Sequence, residues 1–180
     1  MPELSEVYSF QPEPEGVLAY IYSVLYSPTY REKYAEELRT DFPRIPFTIS
    51  AELFKLMSEL GNRLIDLHLL ESPELNQPVV KYQGSGDNEV IEYVRFDSSQ
   101  HRVYINSEKY FEEITPEMWD YQIGGYKVLS KYLKDRKGRY MDDPKRYILI
   151  ATAIALTIEI QKEIDELYPD VESNVIQFQK

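Results

Sequence analysis

The chain has 180 residues, a formal net charge of -11 and 43% hydrophobic residues, which suits one domain able to bury a sizeable core. It has no Cys, which excludes disulfides and thiolate metal sites, and sixteen Tyr, a large supply of amphipathic aromatic surface. MPELSEVYSF lacks the basic-then-apolar order of a secretion signal, and the longest apolar-rich stretch, 147–158, is too short to cross a bilayer, so a soluble cytoplasmic protein with no membrane partner is expected.

Residues 1–15 carry three Pro and four Glu and read as an extended lead-in or linker. A short helix is predicted from about Gly16 to Tyr26, with Leu18, Ile21 and Leu25 on one side. Ser27-Pro28 is a cap followed by proline at the first helical position, and opens a second helix along which Tyr30, Tyr34 and Leu38 recur every four residues. Pro43 and Pro46 end it and impose an extended passage. Ser50 caps a third helix to about Leu70, with Leu53, Met57, Leu60, Leu64 and Leu67 in one apolar stripe. Gly61 inside it costs about 1 kcal/mol against Ala unless close packing requires it.

Beyond Pro73 the pattern becomes β-branched and aromatic. Three strands, 79–82, 89–96 and 102–106, are predicted as an antiparallel meander, with GSGDN and DSSQ as turns. Thr115-Pro116 and Asp143-Pro144 repeat the cap-then-proline device. The second opens a long helix to about Leu167, apolar nearly all round from Ile148 to Ile160 and so central to the core. The expected fold is α+β: a helical N-terminal part, a small antiparallel β-meander in the middle and a long buried C-terminal helix. The expected boundaries are a single domain over 16–170 and a flexible tail over 171–180.

Catalytic signatures are missing. There is no phosphate-cradling G-x-x-x-x-G-K-[ST] loop, GSG at 84–86 lacks the third glycine of a dinucleotide loop, and no methyltransferase NPPY-type motif occurs. His68, between two leucines, reads as a core or boundary histidine rather than a ligand or base. His101 sits in a polar turn. The adjacent acid pairs point in different directions on a helix and read as a solvated acidic face. No cofactor, metal or catalytic residue is expected.

The most informative run is WDYQIGGYKVLSKYLKDRKGR, Trp119 to Arg139. Residues 127–146 hold eight cations against three Asp, a local +5 on a chain whose remaining residues sum to -16. Lys127, Lys131 and Lys134 are predicted on one face of a helix beginning near Tyr126, with Arg136, Lys137 and Arg139 crowding its C-terminus and Lys145 and Arg146 following. Spacing alone supports two readings equally: a phosphate-contacting track, or cations that complement the helix dipole and pair with Asp135, Asp142 and Asp143. Gly124 and Gly125 read as a tight strand-to-helix turn able to offer amides to a phosphate.

The same run resembles the C-terminal specificity domain of type ISP restriction–modification enzymes. So do YIYSVLYSPTYREKYAEELRTDFPRIPF (Tyr20 to Phe47), LGNRLIDLHLLE (Leu60 to Glu71) and VYINSEKYFEEITPEMWDYQIGGY (Val103 to Tyr126), in order along nearly the whole chain. The resemblance implies a non-catalytic DNA target-recognition module. Its partners would be double-stranded DNA and the methyltransferase and helicase/nuclease regions of the same or a partner polypeptide. It favours the phosphate track at Lys127, Lys131, Lys134, Arg136, Lys137 and Arg139. Base readout takes side chains with paired donors and acceptors, for which the candidates are Arg44, Asn62, Arg63 and Gln122, with Gln83 and Asn88 at the hairpin. The competing reading is an acidic protein-interaction or scaffolding module docking onto a methyltransferase or helicase. An acidic DNA mimic and a small hydrolase rank below it, the first because of the cationic run and the second for want of a nucleophile–histidine pair.

Overall fold

The computed structural model describes residues 2–177, and opens on a helix, α1 (Pro2–Tyr8), where the sequence predicts an extended lead-in. Leu4 and Tyr8 are buried, so apolar contact overrides the proline- and glutamate-rich local composition. Residues 178–180 of the expected tail lie outside the described residues. The chain separates into two compact units, one of residues 1–69 with 159–180, the other of residues 70–158.

The first unit contains α1, α2 (Pro14–Tyr26), α3 (Pro28–Lys33), α4 (Glu37–Thr40) and α5 (Ala51–Leu69). It also holds the C-terminal part, from residue 159, of α8 (Pro144–Ser173). The caps form as the sequence predicts. Tyr30 N–H donates to Ser27 Oγ at 3.1 Å and Leu53 N–H to Ser50 Oγ at 3.2 Å. Asp165 completes the start of α3, accepting from Ser27 Oγ at 2.6 Å and Thr29 Oγ1 at 3.0 Å. The single helix expected after Ser27 is instead two short ones, broken after Lys33. Leu53, Met57, Leu60, Leu64 and Leu67 are all buried, as their spacing requires.

The proline-rich passage after α4 leaves carbonyls without a ladder to join. Tyrosines supply the donors. Tyr20 Oη donates to Pro46 O at 2.7 Å, Tyr8 Oη to Thr48 O at 2.7 Å and Tyr30 Oη to Arg44 O at 3.1 Å. The Tyr20 ring lies between Phe47 and Phe54, at 5.1 and 5.0 Å. Residues 47–49 then pair with the C-terminal segment through Ile49 N–H to Asn174 O and Ile176 N–H to Phe47 O. Helix α8 ends at Ser173, past the expected Leu167 and through Pro169, because Tyr168 and Val171 are buried and hold that last turn and a half in place.

The second unit holds a four-stranded antiparallel sheet in the order β1-β4-β3-β2: β1 (Lys81–Gly84), β2 (Arg95–Asp97), β3 (Arg102–Tyr104) and β4 (Lys109–Glu112). The three-strand meander expected from sequence is thus one strand short. The fourth strand, β4, pairs with both β3 and β1 and separates β1 from the rest. Most of the expected strand 89–96 lies outside the sheet. Its first residues bond instead to the segment after α7 (Val128–Lys134), through Ile91 N–H to Arg139 O and Met141 N–H to Glu89 O. Val103 and Phe111 face a core with Met118 of α6 (Pro116–Asp120), Leu129 and Leu133 of α7, and Tyr147, Ala151, Ile154 and Ile158 of α8. A fully buried side chain of this kind contributes roughly 1.5–3 kcal/mol. Asn106, fully buried, ties the β3–β4 loop to residues 88–90. Its amide donates to Asn88 O and Val90 O at 2.9 Å each, while its oxygen accepts from Glu108 and Lys109 N–H at 2.8 and 2.7 Å.

Candidate nucleic-acid interface

The cation-rich run begins where Thr115 caps α6, with Met118 N–H donating to Thr115 Oγ1 at 3.2 Å. The chain then forms a β-hairpin, β5 (Gln122–Ile123) and β6 (Tyr126–Lys127), with Gln122 opposite Lys127 and Ile123 opposite Tyr126. Gly124 and Gly125, at φ 58° and 81°, make its two-residue loop. Two positive φ values in succession are the requirement of a type I′ turn, which suits the twist of paired strands. The strand-to-helix turn expected at these glycines is therefore corrected: they head a hairpin, and α7 starts three residues later.

Leu129, Ser130 and Leu133 bury one face of α7, which turns Lys127, Lys131 and Lys134 outward. The loop after it is held by backbone bonds, among them Gly138 N–H to Ile91 O at 2.8 Å. This fixes where Arg136, Lys137 and Arg139 emerge.

The six candidate phosphate contacts divide into two groups. Lys127 is ion-paired with Asp120, and Lys131 with Asp135 at 2.7 Å, while the Lys131 ammonium also lies 5.4 Å from the Tyr126 ring centre. The Asp135 hydrogen bond raises the Lys131 pKa above its ordinary value. Arg136 stacks on Tyr132, 3.7 Å from the ring centre, and donates to the Tyr132 carbonyl at 3.0 Å. By contrast Lys134, Lys137 and Arg139 are exposed, with no acid within ion-pair distance among the described residues. The same holds for Lys145 and Arg146. Asp143, one of the acids expected to neutralise the run, accepts instead from Arg146 N–H at the start of α8.

The base-reading candidates do not share one unit. Gln122 is exposed on the hairpin in the second unit, with Gln83 on β1. Arg44, Asn62 and Arg63 belong to the first. Arg44 is exposed with Asp41 at 3.7 Å, Asn62 is exposed on α5, and Arg63 pairs with Glu163 at 3.4 Å. His68 is half buried against Tyr22 and Tyr26, its Nδ1 hydrogen-bonded to the Tyr22 hydroxyl at 2.8 Å, and burial lowers its pKa. Among the described residues no group of three or more His, Cys, Asp or Glu gathers as a metal site.

A polar-aromatic sheet face went unnoticed in the sequence. The strand register places Arg95, Tyr104, Tyr110 and Gln83 in one row, and Asp97, Arg102, Glu112 and Lys81 in the next, on the side opposite Val103 and Phe111. Arg95 lies over Tyr104 at 4.3 Å and Arg102 over Tyr110 at 4.4 Å. The signal was present in the alternation of Arg102-Val103-Tyr104 and Tyr110-Phe111-Glu112.

The model of the type ISP C-terminal specificity domain matches residues 2–163, and the chain belongs to that family. No curated protein matches the sequence. Solved structures share the fold, among them the following three. A cryo-electron-microscopy structure of a DrdV–DNA complex is 22% identical with a TM-score of 0.68, over 91% of this chain and 19% of that one. A nuclease-deletion mutant of the type ISP restriction–modification enzyme LlaGI, in complex with a DNA substrate mimic, is 21% identical with a TM-score of 0.60, over 92% and 17%. The ATP-dependent type ISP restriction–modification enzyme LlaBIII bound to DNA is 20% identical with a TM-score of 0.61, over 93% and 12%. The chain thus spans less than a fifth of the length of each.

Proposed function

We propose that this chain is the DNA target-recognition module of a type ISP-like restriction–modification enzyme, acting in the cytoplasm and without a catalytic centre of its own. Methyltransferase and helicase/nuclease regions, on the same or a partner polypeptide, would carry the chemistry. Family membership supports the reading, as do relatives of the same fold whose structures contain DNA. The observation that carries it is the set Lys134, Lys137 and Arg139: exposed cations without acid partners among the described residues, on a chain of net charge -11. Phosphates are the ligands such a set fits, because neutralising each one releases condensed counterions.

Lys127, Lys131 and Arg136 flank this set, oriented by Asp120, Asp135 and Tyr132. Gln122, on the same hairpin as Lys127, is the base reader we favour, since its amide presents a donor and an acceptor side by side. Arg63 is better assigned to structure through Glu163, and Arg44 and Asn62 carry no observation beyond exposure.

The acidic balance weakens binding by the isolated chain. The test is a titration of random-sequence duplex DNA between about 50 and 200 mM salt. Weak binding is expected, with a slope of log K on log salt of about -3 for three phosphate contacts. Reversal of charge at Lys134, Lys137 and Arg139 should abolish it with the circular dichroism spectrum unchanged. Retention of binding by that triple variant would remove the phosphate track.

A further inference from the structure

The hairpin ahead of α7 exposes two large apolar side chains at its very end. Ile123 is 50% exposed and Tyr126 62%, and they face one another across the strands. Strands of two residues are too short to be stable by pairing alone, so surface of this kind is costly unless something covers it. A Cβ on Gly124 or Gly125 would meet no atom within 4 Å, so the turn itself is open. The glycines serve the left-handed turn and not close packing. Residues 122–126 bear no charge, whereas Lys127 closes the hairpin opposite Gln122 and the Lys131 ammonium lies 5.4 Å from the Tyr126 ring centre.

An uncharged, narrow, apolar tip with cations at its base is complementary to one surface in particular. Duplex DNA has base edges on the groove floor and phosphates along the rims, and its major groove, about 12 Å wide, admits a two-stranded ribbon. We propose that the 122–127 hairpin is the groove-entering element of this chain. Ile123 and Tyr126 make apolar contact with base edges, thymine methyls foremost, while Lys134, Lys137 and Arg139 hold the backbone. The inference rests on the DNA reading above and adds to it the element that enters the groove and an apolar mode of contact. A protein partner for the same tip would be acidic, and would leave the bases untouched.

The experiment uses the full chain and a random-sequence duplex. Ile123→Ser with Tyr126→Ser should weaken binding about tenfold, about 1.4 kcal/mol. The salt dependence should stay the same, because no cation is removed. Ile123→Thr with Tyr126→Thr, which keeps strand propensity, serves if the serine pair unfolds the hairpin. In an otherwise unaltered chain, p-benzoylphenylalanine at position 126 should cross-link to bases on irradiation. Full affinity in the tip variants and no cross-link to bases, in a chain that still needs Lys134, Lys137 and Arg139, overturns the groove-entry inference and leaves the DNA reading standing. Failure of the unaltered chain to bind at low salt overturns the DNA reading itself.

Discussion

A Cβ at Gly61 would lie 1.8 Å from the carbonyl oxygen of Ala19, where α5 crosses α2. No side chain fits that gap, and the obstacle is backbone, which cannot swing aside. The glycine that weakens α5 as a helix is what lets the two helices approach. Gly61→Ala should therefore destabilise the first unit by about 1–3 kcal/mol through overpacking, although helix propensity alone would favour Ala by about 1 kcal/mol. Chemical denaturation of the variant measures the sign, and a gain in stability would show the contact to be looser than described.

Asn106 satisfies both of its amide hydrogens and two backbone N–H groups while fully buried. Asn106→Asp keeps the shape but turns a carboxylate toward two carbonyls. It should cost roughly 2–4 kcal/mol, the penalty of buried polar groups left facing like partners. Urea unfolding of the variant checks this, with loss concentrated in the sheet by amide exchange.

Tyr147 is the reverse case. Its hydroxyl is buried in the core of the second unit with no hydrogen-bond partner among the described residues, and burial pushes its pKa far up. The ring packs against Phe111 at 4.3 Å, so the aromatic body is what the core uses. Tyr147→Phe removes only the unsatisfied oxygen and should raise stability by about 1 kcal/mol, read as a higher midpoint on melting.

Acid should weaken the first unit in two steps. Burial lowers the His68 pKa from 6.5, so the unfolded chain takes up that proton first and stability falls as pH drops below 6.5 toward the folded value. The hydrogen bond from Lys33, helped by those from Tyr34 and Tyr168, holds Glu172 below its ordinary 4.5. Its contribution is complete above 4.5 and is lost as pH falls through the lower folded pKa. Melting curves across pH 3–8 should show the upper step vanish in His68→Gln and the lower one in Glu172→Gln. A pH profile unaltered by both substitutions would contradict the assignment.

Much of this fold could be read before any coordinates. Ser27, Ser50, Thr115 and Asp143 cap the helices assigned to them, and the α5 stripe is buried residue for residue. These are signals within four residues of one another, and the physics that makes them acts at that range. The α1 helix was missed because its stability comes from Leu4 and Tyr8 in the core and not from its own composition. Strand β4 was missed because Lys109–Glu112 is short and gains part of its pairing from β1, more than twenty residues earlier, beside that from β3.

The cationic run shows the same division. Its residues, their charge and the family pattern around them stand in the primary structure and needed nothing else. Whether each cation was free depended on which acids came within 4 Å and which faces were buried. Lys131 met Asp135 and Lys127 met Asp120, but Lys134, Lys137 and Arg139 met none among the described residues. Likewise two glycines announce a turn, yet only the pairing of Gln122 with Lys127 makes it a hairpin. Ionic neutralisation and strand pairing are matters of distance in space, and separation along the chain does not specify them.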